Sequence, residues 1–521
     1  MGGVFVGAMR CGRSAFLMDW LGPVCRGAGW NSGVRGMSIW LALAALANLA
    51  AADPSTVKDW GQTLRDDATA VHAEIASSHP GMVNADDPGF ASLNDAQYRL
   101  ALERAGTADS YEDYFFALQH YVAAFNDGHL SFGVYGATPD QPRRWPGFIA
   151  RDDGNRGLVV THAEPWSGLA VGATVVSCDG RDAFHLGEAR IGARLGRWAL
   201  ASERVLNAPM VMLDTGDPYV PPLRHCEFDV AGVRLAKDLE WRDAGQRFYS
   251  HYDVFALPPP GAIKMRRLQD GGVWISLPTF DGNPESEAGR DLGALVTAIE
   301  TQAETLRQSP AIVFDLRGNT GGSSQWSVQI ARTLWGSGAF SRTPEAPMTV
   351  VWRASAANLE SLRETLQQRD ARGAISNEAR DWFRSTIAGL EAAIARGDDR
   401  WIIEPSVSAP SLSAPTLPYH PPVGGVFVLT DETCMSACLD AVDLWVGLGA
   451  VPVGRETGAD TIYMETRSFD VPSGLGAMSL PMKFYIGRRR GHNEPVSPVH
   501  RFDGDMNNTE ALEVWLSGLP R

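Results

Sequence analysis

Lysine is the scarcest charged residue in this chain of 521 residues, occurring only as Lys58, Lys237, Lys264 and Lys483. Any mechanism that needs a lysine base therefore has few places to put it. Basic charge as a whole is in deficit. A formal net charge of −15 leaves no cationic footprint and argues against nucleic acid as a partner. Long apolar runs are missing too: one, opening at Met37-Ser38-Ile39-Trp40 and closing at Leu49, is too short to span a bilayer comfortably. Internal repeats and low-complexity tracts are absent. No pattern of ligands calls for a metal, and no motif calls for a cofactor.

What is present describes a globular chain, 44% apolar and 21% charged, too long for one ordinary core. The apolar run, followed by Ala50-Ala51-Ala52 before Asp53, reads as an export signal with a small-residue cleavage site. Met37 is the favoured start, which makes residues 1–36 a mis-called extension. The expected location is periplasmic or secreted, with no stable membrane insertion after processing. Processing removes Cys11 and Cys25. Cys178, Cys226, Cys434 and Cys438 remain, open to three pairings in an oxidising space or to none if they are small buried hydrophobes.

Six segments follow. Residues 1–52 form the export region, and 53–140 a helical N-terminal region. In the latter, Val57, Trp60, Leu64, Val71 and Ile75 repeat at helical spacing until His79-Pro80-Gly81, and a short helix is expected over Asp95–Ala105. Ser110 and Asp113 resemble a capping box ahead of one apolar face made by Tyr111, Tyr114, Phe115, Leu118, Val122 and Phe125. Residues 141–255 shift to short strands and turns. Pro165 to Arg181 resembles a PDZ-like module, with an ordinary β-domain as the equal alternative. Strand, helix (Glu287–Arg307) and strand (Ala311–Leu316) within 256–345 suggest a βαβ unit, the first part of an α/β core. Residues 346–410 carry a helical insertion, taken as a solvated hairpin, and 411–521 complete the core.

Chemistry concentrates at Asp431-Glu432-Thr433-Cys434-Met435-Ser436-Ala437-Cys438, between the apolar strand Gly425–Leu429 and a helical pattern of Cys438, Ala441, Val442 and Trp445. A serine there lies beside unpaired helix N–H groups, a setting for a nucleophile whose transition state carries an oxyanion. The plain alternative is a helix cap. Asp315-Leu316-Arg317-Gly318-Asn319-Thr320-Gly321-Gly322 ends another buried strand, and its glycines let backbone N–H groups approach a ligand. Gly321, Gly322 and Ala437 are thus candidate oxyanion donors. His129, after the helix stop Asn126-Asp127-Gly128, is a candidate base, and Glu494 a carboxylate able to fix its tautomer. Taken singly, a structural histidine and a surface glutamate are the commoner cases.

Together these motifs resemble the tail-specific, or C-terminal-processing, family of serine peptidases. DLRGNTGG is similar to that family's D-x-R-x-N-x-G-G turn, TDETCMSA to its serine segment (with Thr433 three residues before Ser436 instead of two), and Gly454 to Gly458 to its G-x-x-T-x-G segment. The processing proteases carry a lysine base just beyond that segment. Here Ala459-Asp460-Thr461 stands in its place, and Lys483 lies too far on. The resemblance is therefore nearer the tricorn-like and chlamydial protease-like members, with Ser436, His129 and Glu494 as the implied triad. It implies a ClpP/crotonase-like α/β core and an exported endopeptidase acting on proteins or peptides, oligomeric state open. A ligand carrier on the same scaffold, a crotonase-type acyl enzyme and a PDZ-based scaffold are the alternatives.

Overall fold

The computed structural model describes residues 52–139, 143–154, 157–246, 248–249, 261–339, 348–372, 375, 377–404 and 418–520. The expected export segment, Ala52 excepted, lies outside them. Helix α1 (Trp60–Ser78) begins where the Asp59 side chain accepts the Gln62 N–H, and it stops at His79, whose successor Pro80 cannot continue it. Leu64, Val71 and Ile75 face inward at helical spacing. Helix α2 (Phe90–Ala105) starts earlier than the expected Asp95, because its cap, Gly89, has no side chain to signal a start. Helix α3 (Tyr111–Ala123) is capped by Ser110, whose Oγ accepts the Asp113 N–H at 3.1 Å and donates to the Asp113 carboxylate at 2.6 Å. One apolar face was expected of it. Instead every residue from Tyr114 to Ala123 is buried, because α1, α2 and the following strand pack around it.

That strand, β1 (Ser131–Val134), follows a turn through Asn126, which has φ 51°. The β-rich body beyond it contains β2 (Phe148–Asp152), β3 (Leu158–Ala163), β4 (Thr174–Cys178), β5 (His225–Val230) and β6 (Val233–Asp238), antiparallel in that order. Helix α4 (Ala201–Val211), between β4 and β5 in the chain, packs on β2. Cys178 and Cys226, opposite one another on β4 and β5, form a disulfide.

The α/β core is one sheet in the order β7 (Lys264–Arg267), β8 (Val273–Ser276), β9 (Ala311–Asp315), β12 (Gly425–Thr430), β13 (Val451–Gly454) and β16 (His500–Arg501). All pairs are parallel except β7 with β8. Helix α5 (Glu287–Thr301) makes the β8–β9 crossover, and a break at Gln302 separates it from the short helix Ala303–Arg307 that had been read as continuous with it. With α6 (Gln325–Trp335) and α9 (Ala437–Gly447), α5 buries one face of the sheet. Helix α10 (Thr509–Ser517) covers the other. This two-sided burial explains the unbroken apolar runs in β9 and β12.

A second sheet orders β1, β15 (Gly476–Ile486), β10 (Thr349–Arg353) and β11 (Arg400–Ile403), with β14 (Tyr463–Asp470) on the other side of β15. Ser131 of β1 stands opposite Ser479 of β15, so the N-terminal helices are sewn to the end of the chain. The insertion forms α7 (Ala356–Ala371) and α8 (Asn377–Arg396). It is not merely solvated: Leu359, Leu362, Phe383 and Leu390 bury themselves against Trp352 and Met482 of the sheet. Among the described residues, no helix is long and apolar enough to cross a membrane.

Candidate active site

Between β12 and α9 the chain makes a tight connection held by the side chain of Asp431. Asp431 is buried; its Oδ1 accepts the Thr433 N–H at 3.0 Å, and its Oδ2 accepts the Gly318 N–H at 3.0 Å. Burial pushes its carboxyl up, against these hydrogen bonds. Cys434 and Cys438 are joined by a fully buried disulfide, with Ser436 midway between them. Ser436 has φ 54° and ψ −125°, a conformation L-residues reach only under strain of about 1–3 kcal/mol. A capping serine has extended backbone and accepts an N–H from the first turn. Ser436 has neither property, since its side chain makes no capping bond. The plain cap reading therefore fails, and what stands here is a strained strand-to-helix serine of the kind that presents a nucleophile.

The glycine turn lies directly against it. A Cβ on Gly321 (φ 109°) would sit 2.8 Å from Ser436 Cβ and 3.1 Å from the Ala437 nitrogen. The other motif residues hold that turn in place. Asp315 clamps Arg317 through two bonds of 2.7 Å, and Asn319 donates to the Leu277 carbonyl at 2.7 Å while accepting the Gly321 N–H at 2.8 Å. The Gly321 N–H is thus engaged. The N–H groups of Gly322 and of Ala437, first in its helix, have no acceptor among the described residues.

His129 occupies the turn before β1, its side chain one-fifth exposed and its backbone N–H held by Asp127 Oδ1 at 2.9 Å. Arg197 joins this turn to the serine segment. Its guanidinium lies 2.9 Å from where a Cβ on Gly128 would be, donates to the Ala459 carbonyl at 2.7 Å and reaches Met435 Sδ at 3.8 Å. Gly458 closes the same region, since a Cβ there would meet Met435 Cγ at 2.6 Å. Thr457 accepts the Val496 N–H at 2.8 Å and so ties down the segment that carries Glu494.

Glu494 is placed differently from the role expected of it. It is exposed, its Oε2 accepts the Gly491 N–H at 2.6 Å, and it forms no ion pair or hydrogen bond with a histidine among the described residues. Among the described residues, the carboxylate paired with His129 is Asp127, with Oδ1 at 3.8 Å from Nδ1; Asp460, in the segment after Gly458, is buried and bound by Arg488 and Arg490. Burial would raise the Asp460 carboxyl, but Arg490 and Arg488 hold it below its ordinary range. Lys483 is buried and donates to Glu465 Oε2 at 2.9 Å. Burial would lower its pKa, yet Glu465 keeps it above the ordinary value, so it stays charged. A lysine base is excluded at that position.

Sequence reasoning missed Asp460, which fills the segment searched for a lysine, and His79, read only as a helix stop. Arg197 carries no sequence signal, because its role depends on how the β-rich body meets the core. Among the described residues, no group of three His, Cys, Asp or Glu side chains is arranged to hold a metal.

No protein-family profile and no curated protein matches this sequence. Solved structures do. Mature CPAF complexed with lactacystin is similar over 88% of this chain and 97% of that one, with TM-score 0.52 and 12% identity. Mature CPAF alone is similar over 85% and 93%, with TM-score 0.52 and 12% identity. A CPAF s499a mutant is similar over 88% and 96%, with TM-score 0.51 and 12% identity. The chain shares their mixed α/β fold over nearly its full described length.

Proposed function

We propose that this chain is a serine endopeptidase that cleaves proteins or peptides through an acyl-enzyme. The observation that carries the reading is Ser436, strained and uncapped between β12 and α9, with Gly321 pressed against it. Ser436 Oγ attacks the peptide carbonyl and passes its proton to His129, which then protonates the leaving amine. Water attacks the acyl-enzyme by the reverse relay. The N–H groups of Gly322 and Ala437 face the developing oxyanion, each such donor contributing roughly 2.7–4 kcal/mol. Glu494 supports a Ser-His-Glu triad only through its position in the chain, since its carboxylate engages Gly491.

Export belongs to the same proposal. The N-terminal apolar run and the two disulfides of the described residues favour an oxidising space. A fluorophosphonate probe, with lactacystin as a second acylating probe because CPAF binds it, is expected to label Ser436. Ser436→Ala and His129→Ala should each abolish labelling. Undiminished labelling of His129→Ala removes the histidine base, and an unlabelled wild type favours a ligand carrier.

A further inference from the structure

Several buried polar atoms in one small region, His79 Nε2, Asp127 Oδ2, His129 Nδ1 and Asp460 Oδ2 among them, lack a hydrogen-bond partner among the described residues. Buried polar groups are rarely left unpaired, and a cluster of them calls for an explanation, of which a catalytic role is one. Two of them, His79 Nε2 and Asp127 Oδ2, face one another. His79 Nε2 lies 3.8 Å from Asp127 Oδ2, and His129 Nδ1 lies 3.8 Å from Asp127 Oδ1. Asp127 therefore sits between two imidazoles, one per carboxylate oxygen, with its side chain 2% exposed.

The surroundings fix which protons are where. His79 is fully buried, and its Nδ1 accepts the Gly81 N–H at 2.9 Å, so a neutral His79 carries its proton on Nε2, aimed at Asp127. Asp127 Oδ1 accepts the His129 N–H at 2.9 Å and the Thr461 hydroxyl at 2.9 Å, which leaves the carboxylate little freedom to rotate. Asp460, the other buried carboxylate of this region, is taken up by Arg488 and Arg490, which both bind its Oδ1. Arg197 stands against Gly128, and Asn493 donates to the Asn126 carbonyl at 2.9 Å.

Resting on the serine-peptidase reading, we propose that Asp127, braced from behind by His79, is the positioning residue that keeps the Nδ1 proton on His129, leaving Nε2 to serve Ser436. Glu494 does not fill this role. The 3.8 Å gaps are long for hydrogen bonds and close by about 1 Å on substrate binding, as catalytic hydrogen bonds in free enzymes commonly do. Burial alone would raise the Asp127 carboxyl; the two histidines hold it below its ordinary range, consistent with an anion at this place.

The test compares Asp127→Asn, Asp460→Asn and Glu494→Gln in the rate at which a fluorophosphonate phosphonylates Ser436, with loss of fluoride, from pH 5 to 9. Alongside it, ¹⁵N spectra of histidine-labelled wild type report the His129 tautomer. Asp127→Asn should slow phosphonylation about 10²–10⁴-fold, as loss of a tautomer-fixing carboxylate does, and move the acid limb to lower pH. Glu494→Gln should stay within threefold with its limb unmoved, and His129 should carry its proton on Nδ1. The assignment is overturned if the Asp127→Asn limb stays in place, if Glu494→Gln or Asp460→Asn moves it instead, or if His129 is protonated on Nε2 alone. If Asp127→Asn does not fold, the tautomer and the exposed Glu494→Gln variant decide. Absence of wild-type labelling defeats the peptidase reading on its own, and the tautomer still tests the role of Asp127.

Discussion

Replacing Ser436 by glycine should stabilise the protein while destroying its reactivity. The serine is held at φ 54°, ψ −125°, with no capping hydrogen bond in return, at an intrinsic cost of about 1–3 kcal/mol that glycine does not incur. Glycine's greater freedom in the unfolded chain takes back about 0.4–1 kcal/mol. The expected net is a gain of roughly 0.5–2 kcal/mol for Ser436→Gly. Ser436→Ala keeps the strain and loses only an unbonded hydroxyl, so it should lie within about 0.5 kcal/mol of wild type. Urea unfolding followed by tryptophan fluorescence, with slopes checked for constancy, reads these differences as midpoint shifts. A true cap gives the opposite pattern, with alanine costing about 0.5–2 kcal/mol and glycine a few tenths. Finding that pattern would refute the strain argument and, with it, the main support for Ser436 as nucleophile.

Other consequences can be checked directly. Gly321→Ala places a Cβ 2.8 Å from Ser436 Cβ at φ 109° and should slow probe labelling about 10²-fold, the cost of misplacing a reacting group by about 1 Å, whereas ordinary labelling would separate this turn from the site. By loop-closure entropy, removing Cys434–Cys438 (separation 4) should cost roughly 2 kcal/mol and removing Cys178–Cys226 (separation 48) about 4; urea midpoints of paired Cys→Ala variants test that order. Burial pushes the His79 imidazole below 6.5, so its contribution to stability is full above about pH 6.5 and shrinks as pH falls and the unfolded chain takes up the proton. His79→Gln should flatten this decline between pH 7.5 and 5.5; an unchanged slope removes His79 as its source.

The core was legible because its signals are local. Ile312 to Phe314 and Val426 to Leu429 are apolar without alternation, as central parallel strands must be, and the glycine turn follows directly on the first. Ser436 and its neighbours could be read for the same reason. The all-round burial of α3 and the packing of the insertion could not, since both depend on elements distant in sequence. The environment of His129 is the sharpest case. The groups that hold its turn, on Asp127 and Gly128, come from the end of α1, from the segment before β14 and from Arg197, and only the fold brings these together. A spacing argument can nominate Glu494, but it cannot see that the carboxylate is already bound to Gly491.

The pairing of Ser131 with Ser479 has a consequence in time. During synthesis the N-terminal helices emerge first and can associate early, but β1 waits for β15. The turn carrying His129 leads into β1, so it is fixed against the serine segment only when almost the whole chain is available. Such distant pairing is also slow to form. A nascent chain therefore holds Ser436 and His129 apart until β15 has been made and has paired with β1.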